Sequence, residues 1–99
     1  MAGNQQTGTY TGTGAAIDVP LGWVPDYVRI VQTTDGNLTG EWFFGMADGT
    51  SIDTAAAVAP NPAGGISALE STTQGAGFTA GTDFSVNGKE YRWLAIKSE

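Results

Sequence analysis

This 99-residue chain predicts an all-β fold, a single small β-sandwich or jelly-roll-like domain with a flexible N-terminal arm. Three observations carry that expectation. No stretch sustains the 3.6-residue apolar repeat of an amphipathic helix. Short runs rich in Val, Ile, Thr and aromatic residues recur instead, with apolar and polar positions alternating. Fifteen glycines and several Asp-Gly and Asn-Gly pairs divide those runs. A chain of this length buries roughly 60–65% of its unfolded surface, enough for one modest core. Thirteen alanines inflate the 40% hydrophobic content, so the remaining large apolar residues fill one thin layer.

Residues 1–14 read as the arm and 15–99 as the domain. Within the arm, TGTYTGT (7–13) is a strand of small residues around Tyr10 that suits the edge of a sheet, its own or a neighbour's. Ala15 to Val19 is a short strand with Ile17 and Val19 on one face, and Pro20 ends its ladder donation. LGWVPDY is a bend, with Pro25 biasing Val24 towards extended geometry. YVRIVQTT (27–34) is a strand with Val28 and Ile30 inward. DGNLTG turns the chain into EWFFGM (41–46), making a hairpin, and Ser51 to Thr54 is a brief strand. AAAVAPNPAGG (55–65) reads as a loop because of its two prolines and Gly-Gly pair, with a short helix over 54–58 as the alternative. A strand restarts at Ile66, STTQGAG is a loop, and Phe78 anchors GFTAGTDF. Asn87-Gly88 then predicts a terminal type I′ hairpin leading into YRWLAIK (91–97). That last strand is apolar on both faces, with Tyr91, Trp93 and Ala95 on one and Leu94 and Ile96 on the other. It is expected to be central in its sheet, under a loop or a neighbour on its second face.

Composition narrows the function. With no Cys and no His, disulfides, zinc centres, Cys nucleophiles and His acid–base chemistry are not expected. The net charge of −6 disfavours nucleic acid and anionic lipid as partners. No signal peptide or apolar run of membrane-spanning length is present, so synthesis in the cytoplasm is expected. The carboxylates are scattered; Asp18/Asp26 and Asp48/Asp53 bracket loops and read as solvated groups, not as a catalytic pair. Asp35, Asn37, Thr39 and Gly40 match the first half of a calcium loop, but Met46 stands where the closing Glu is required, so a polar turn is the better reading. The sequon Asn37-Leu38-Thr39 means nothing without secretion. Serines 51, 67, 71, 85 and 98 have no His to activate them, and Lys89 and Lys97 are expected to be exposed. No enzyme activity and no cofactor or metal is therefore expected.

The aromatics remain. Trp42, Phe43 and Phe44 are consecutive, so at least one points away from the face that the others share. Either loops cover both faces or an aromatic is presented to a partner. The interface residues expected on this ground are Tyr10, Trp23, Trp42 and Phe44.

Two segments carry a family resemblance. LGWVPDYVRI (21–30) resembles the LGF-x-P-x-x-V segment of small virion proteins of tailed bacteriophages. GFTAGTDFSVNGKEYRWLAIK resembles their ending, through Gly77, Phe78, Gly81, Asn87, Gly88, Tyr91, Trp93 and Ala95. The likeness covers about a third to a half of the chain. It implies a structural protein without catalysis, most similar to capsid decoration (cement) proteins. Their partners would be the major capsid protein and further copies of the chain, as a homotrimer. The location implied is the outer capsid surface of the virion. A start at Met1 and the lack of a coiled coil fit a whole small gene product of this kind rather than the end of a long fibre. On this expectation the arm, residues 1–14, reaches a neighbouring subunit, and deleting residues 2–12 would leave a folded protein. The alternative is a phage tail or fibre component, a receptor- or glycan-contacting tip with Trp23, Trp42 and Trp93 as stacking surfaces. A binding module unrelated to virions is a further alternative.

Overall fold

Side-chain alternation and glycine placement set out eight strands, and the computed structural model describes residues 4–34, 38–54, 58–69 and 76–97. The strands are β1 (Asn4–Thr11), β2 (Ile17–Pro20), β3 (Tyr27–Gln32), β4 (Thr39–Phe43), β5 (Thr50–Thr54), β6 (Val58–Leu69), β7 (Gly77–Ala80) and β8 (Glu90–Lys97). A 3-10 turn, Thr82–Phe84, precedes β8. All neighbours are antiparallel, in one sheet of order β1-β8-β3-β4-β5-β6-β7-β2. The all-β expectation holds. The layered arrangement arises from this one sheet folding back on itself. β1 with β8 and β2 with β7 keep the pairing of a jelly roll, whereas β3 to β7 run as a plain meander.

The curl follows from chain length. Laid flat, seven strand spacings would separate β1 from β2 by roughly 34 Å. Yet only Gly12 to Ala16 join them, a link that spans about 20 Å at full stretch. The two edges are therefore brought round towards each other. Inside the curl lie Val28 and Ile30 of β3, Trp42, Ile66, Phe78, Ala80 and Phe84, with Tyr91, Trp93 and Ala95 of β8. Phe78 and Trp93 meet edge to face with ring centroids 5.3 Å apart. Two glycines make the fit possible. Gly8 of β1 stands opposite Trp93 and lies against its indole, and Gly40 of β4 lies under the ring of Phe84. A Cβ at either position would overlap the aromatic ring.

Three expectations need correction. From Asn4 to Thr11 the N-terminal segment is not a free arm but strand β1, paired residue by residue with β8 from Asn4↔Lys97 to Thr11↔Glu90. Tyr10 stacks on Tyr91 at 5.2 Å, and its hydroxyl donates to the Phe84 carbonyl at 2.7 Å. Such a ring pair adds about 0.5–1.5 kcal/mol beyond its buried area, so deleting residues 2–12 is not neutral to the fold. Residues 58–65, expected as a loop, belong to β6. The ladder jumps from Ser51↔Asn61 to Thr50↔Ile66, leaving residues 62–65 as a wide bulge, and Pro62 falls there, where no ladder donor is required. The part of the proposed loop and helix at 55–57 lies outside the described residues, as do Asp35 and Asn37 of the calcium-like turn and most of the 71–77 loop. Finally, Asn87-Gly88 closes no hairpin. The Lys89 amide donates to the Val86 carbonyl at 3.0 Å, Gly88 has φ 82° and Asn87 has a negative φ, which is a type II turn. It delivers the chain from the 3-10 turn into β8, whose partners are β1 and β3.

A methyl group added by Gly40→Ala must push the Phe84 ring out of the core. Overpacking of this kind costs about 1–3 kcal/mol. The thermal midpoint of the variant is expected to fall by roughly 4–8 °C per kcal/mol, measured by circular dichroism, and an unchanged midpoint would show that the Phe84 ring does not rest on Gly40.

Candidate interaction surface

The outward residues of β1, β8, β3 and β4 form a lattice that the register defines. One row is Gln5, Ile96, Tyr27 and Phe43. The next is Thr7, Leu94, Arg29 and Glu41, and the third is Thr9, Arg92, Val31 and Thr39. The inward neighbours on β8, β3 and β4 are buried, while Leu94, Ile96, Val31 and Tyr27 stay half-exposed. This answers the two-faced pattern of β8: it is flanked on both sides in its sheet, and no described element lies over its second face. A shallow depression of about 350 Å³ runs between Thr7, Arg29, Val31, Arg92 and Leu94. Arg29 and Arg92, two of the chain's four cations, are exposed at its walls.

At the end of β4 the surface gains its largest apolar groups. Phe43 is 49% exposed and Phe44 71%. The Met46 amide donates to the Phe43 carbonyl at 3.0 Å, and Gly45 takes φ 100°. The Phe44 amide donates to the Asp26 carbonyl at 2.7 Å. The turn is thus pinned by its backbone, and it is the Phe44 side chain that projects. Phe43 packs its ring against Tyr27 at 5.0 Å, and the Tyr27 hydroxyl donates to Glu41 Oε2 at 2.7 Å. Partial burial, then the hydrogen bond and negative charge of Glu41, push the Tyr27 phenol up to about 12 against the weaker pull of Arg29.

Of the four expected interface residues, only Phe44 lies on this surface. Trp42 is 2% exposed and belongs to the core, because its strand turns it inward between Glu41 and Phe43. Tyr10 is half-buried in its stack on Tyr91, and burial pushes its phenol far above the ordinary range. Trp23 is half-buried against the core. Phe43, Leu94, Ile96 and Arg29 complete the surface. Strict alternation outward from Trp42 would have found Phe43, had the inward member of the aromatic triplet been identified.

The other groups singled out in the sequence have structural roles. Asp18 accepts from Thr79 Oγ1 at 2.8 Å and Asp48 from the Ala68 amide at 3.2 Å. Asp53 accepts from Ser51 at 2.5 Å and from Asn61 at 2.8 Å, and Asn61 also donates to Asp83 at 2.8 Å, tying the β6 bulge to the 3-10 turn. Ser85 Oγ accepts from the Thr13 amide at 3.1 Å. Among the described residues no cluster of acidic, His or Cys side chains is arranged to hold a metal ion. No helix among them is long and apolar enough to cross a membrane. Comparison with protein-family profiles, with curated sequences and with solved structures returns no match.

Tyr27 and Tyr10 keep their protons in the folded chain at pH values where the unfolded chain, with an ordinary value near 10, releases them. Stability from this source is whole below about pH 10 and falls as pH rises towards 12. Tyr27→Phe removes one of the two contributions. Its thermal midpoint is expected to fall less steeply than that of the parent between those pH values, and parallel curves would show that Tyr27 titrates as an ordinary tyrosine.

Proposed function

We propose that this chain is a non-enzymatic virion structural protein that decorates and stabilises the outer surface of a phage capsid by bridging major capsid subunits. The observation that carries the reading is the uncovered outer face of β8, β3 and β4, with Phe43 and Phe44 projecting at one end and Arg29 and Arg92 set among aliphatic residues. Exposed aromatics beside arginines are the composition that dominates protein interfaces. The rest of the chain is acidic, which keeps it dispersed before docking, so the cationic apolar patch is where contact with a larger surface is favoured. The resemblance of residues 21–30 and 77–97 to small phage virion proteins points the same way. The mechanism is repeated burial: each copy covers its patch across two capsid subunits, and the contribution recurs over the shell. The glycan-stacking alternative is left with Trp23, which is half-exposed, since Trp42 and Trp93 are buried.

Quantitative mass spectrometry of purified virions against the major capsid protein tests the reading. Hundreds of copies per particle are expected. A few to a few tens would move the protein to the tail, and none would remove it from the virion. Full burial of a Phe side chain is favourable by about 1.5–3 kcal/mol, so Phe44→Ala is expected to weaken capsid binding roughly 10- to 100-fold with the thermal midpoint unchanged.

A further inference from the structure

β1 is an edge strand that lacks the usual protection. Edges of natural sheets carry charges, prolines or bulges that block pairing with another chain. The other edge, β2, is four residues long, holds the exposed Asp18 and ends in Pro20. β1 is eight residues long and reads Asn-Gln-Gln-Thr-Gly-Thr-Tyr-Thr, with no charge, no proline and no break in its register with β8. Among the described strands it pairs with β8 alone.

The hydrogen-bond phase of this edge can be read from its ends. The Gly12 amide donates to the Lys89 carbonyl at 2.8 Å, one step beyond Thr11↔Glu90. Antiparallel pairs alternate between bonded and non-bonded, so Tyr10, Gly8, Gln6 and Asn4 bond to β8. The other side of β8 agrees, because the Thr33 amide donates to the Glu90 carbonyl at 2.9 Å, placing the even-numbered residues of β8 on β3. The N–H and C=O groups of Gln5, Thr7, Thr9 and Thr11 therefore point away from the sheet.

The geometry points to a second copy of this chain as the occupant of that edge, with β1 pairing antiparallel to β1 about a two-fold axis at Gly8. In this register Gln5 faces the partner's Thr11 and Thr7 faces the partner's Thr9, and each relation is repeated by symmetry. It is the one register in which all four outward-bonding residues find bonded partners. Gly8 then meets the partner's Gly8 in a non-bonded pair, where the backbones approach most closely and a residue without a side chain fits. On the outer face the facing residues are Thr with Thr and Gln with Thr, all exposed, uncharged and able to pair across strands. The flanking positions of β8 carry Arg92 and Lys97 beside Glu90, so the carboxylates behind the net charge of −6 are not concentrated at the axis. The two-fold replaces the three-fold assembly that the family resemblance implies, and it does not depend on the capsid reading. An edge contact with little side-chain burial gives a concentration-dependent dimer.

Sedimentation equilibrium of the full chain tests the proposal, with far-UV circular dichroism and the thermal midpoint confirming that each variant is folded. The parent is expected to associate to twice its 10.2 kDa mass as concentration rises. Thr7→Lys with Thr9→Lys places like charges in direct opposition across the axis and is expected to give a monomer. Thr7→Glu with Thr9→Lys places opposite charges there and is expected to restore the dimer. Hydrogen exchange on the parent gives a reading that needs no variant. The amides of Gln5, Thr7, Thr9 and Thr11 should exchange rapidly in dilute solution and slow as the dimer fills, while those of Gly8 and Tyr10 are slow throughout. The proposal is overturned by a parent that stays monomeric at the highest concentration, by a dimer or trimer that survives the double lysine variant, by a Glu/Lys variant that stays monomeric, or by edge amides whose exchange ignores concentration.

Discussion

The edge-to-face contact of Phe78 with Trp93 is the interaction on which the rest of the molecule depends. Their strands, β7 and β8, lie five places apart in the sheet. A flat sheet would hold them roughly 24 Å from each other. At 5.3 Å between centroids, they can meet only because the sheet has curled, and the curl is stable only because they and the residues around them fill it. This chain has one core to enclose and, among the described residues, one sheet to do it. One sheet that supplies both walls of its own core solves the problem, with Gly8 and Gly40 providing room for Trp93 and Phe84 where two walls crowd.

The same economy leaves one face uncovered. The inward sides of β8, β3 and β4 absorb Tyr91, Trp93, Ala95, Val28, Ile30 and Trp42, and no further described element lies over their outward sides. Leu94, Ile96, Val31 and Tyr27 are apolar enough to favour contact and are held rigidly by strands buried on their other side. The surface is therefore preorganised, and docking on it would cost little ordering. The turn at Phe44 adds a projecting ring whose backbone is fixed by two hydrogen bonds.

How much of this could be read from the residues depended on whether a single physical cause acted. Val28 and Ile30 obey simple alternation, and their strand, its inward face and its hairpin with β4 were legible. Asn87-Gly88 was legible as a turn but not as to type, because the same dipeptide serves a type II turn when Asn keeps a negative φ. Residues 58–65 were misread because Pro and Gly usually interrupt strands, whereas here the ladder steps around Pro62 in a bulge anchored by Asn61. The N-terminal segment was legible over 7–13 as a strand for a sheet edge but was wrongly assigned to a flexible arm, because its stability is borrowed: small residues with one ring, Tyr10, gain their place from Tyr91 and Trp93 far along the chain. For the site, the doubly apolar pattern of β8 and the aromatic triplet announced an extra surface. They did not tell which of Trp42, Phe43 and Phe44 faced outward.

The pairing of β1 with β8 joins the first described strand to the last, with Asn4 opposite Lys97. Loops that long are slow to close, and folds dominated by such distant contacts assemble late and cooperatively. β1 precedes β8 along the chain, so in synthesis it is made before the strand that receives it, and Gly8 has no Trp93 to lie against until β8 follows. The meander from β3 to β7 can form from local contacts alone, so it is the natural nucleus and β1 the natural last piece. Position along the chain and order of assembly are thereby reversed: the earliest of the described strands is the one that locks the finished sheet.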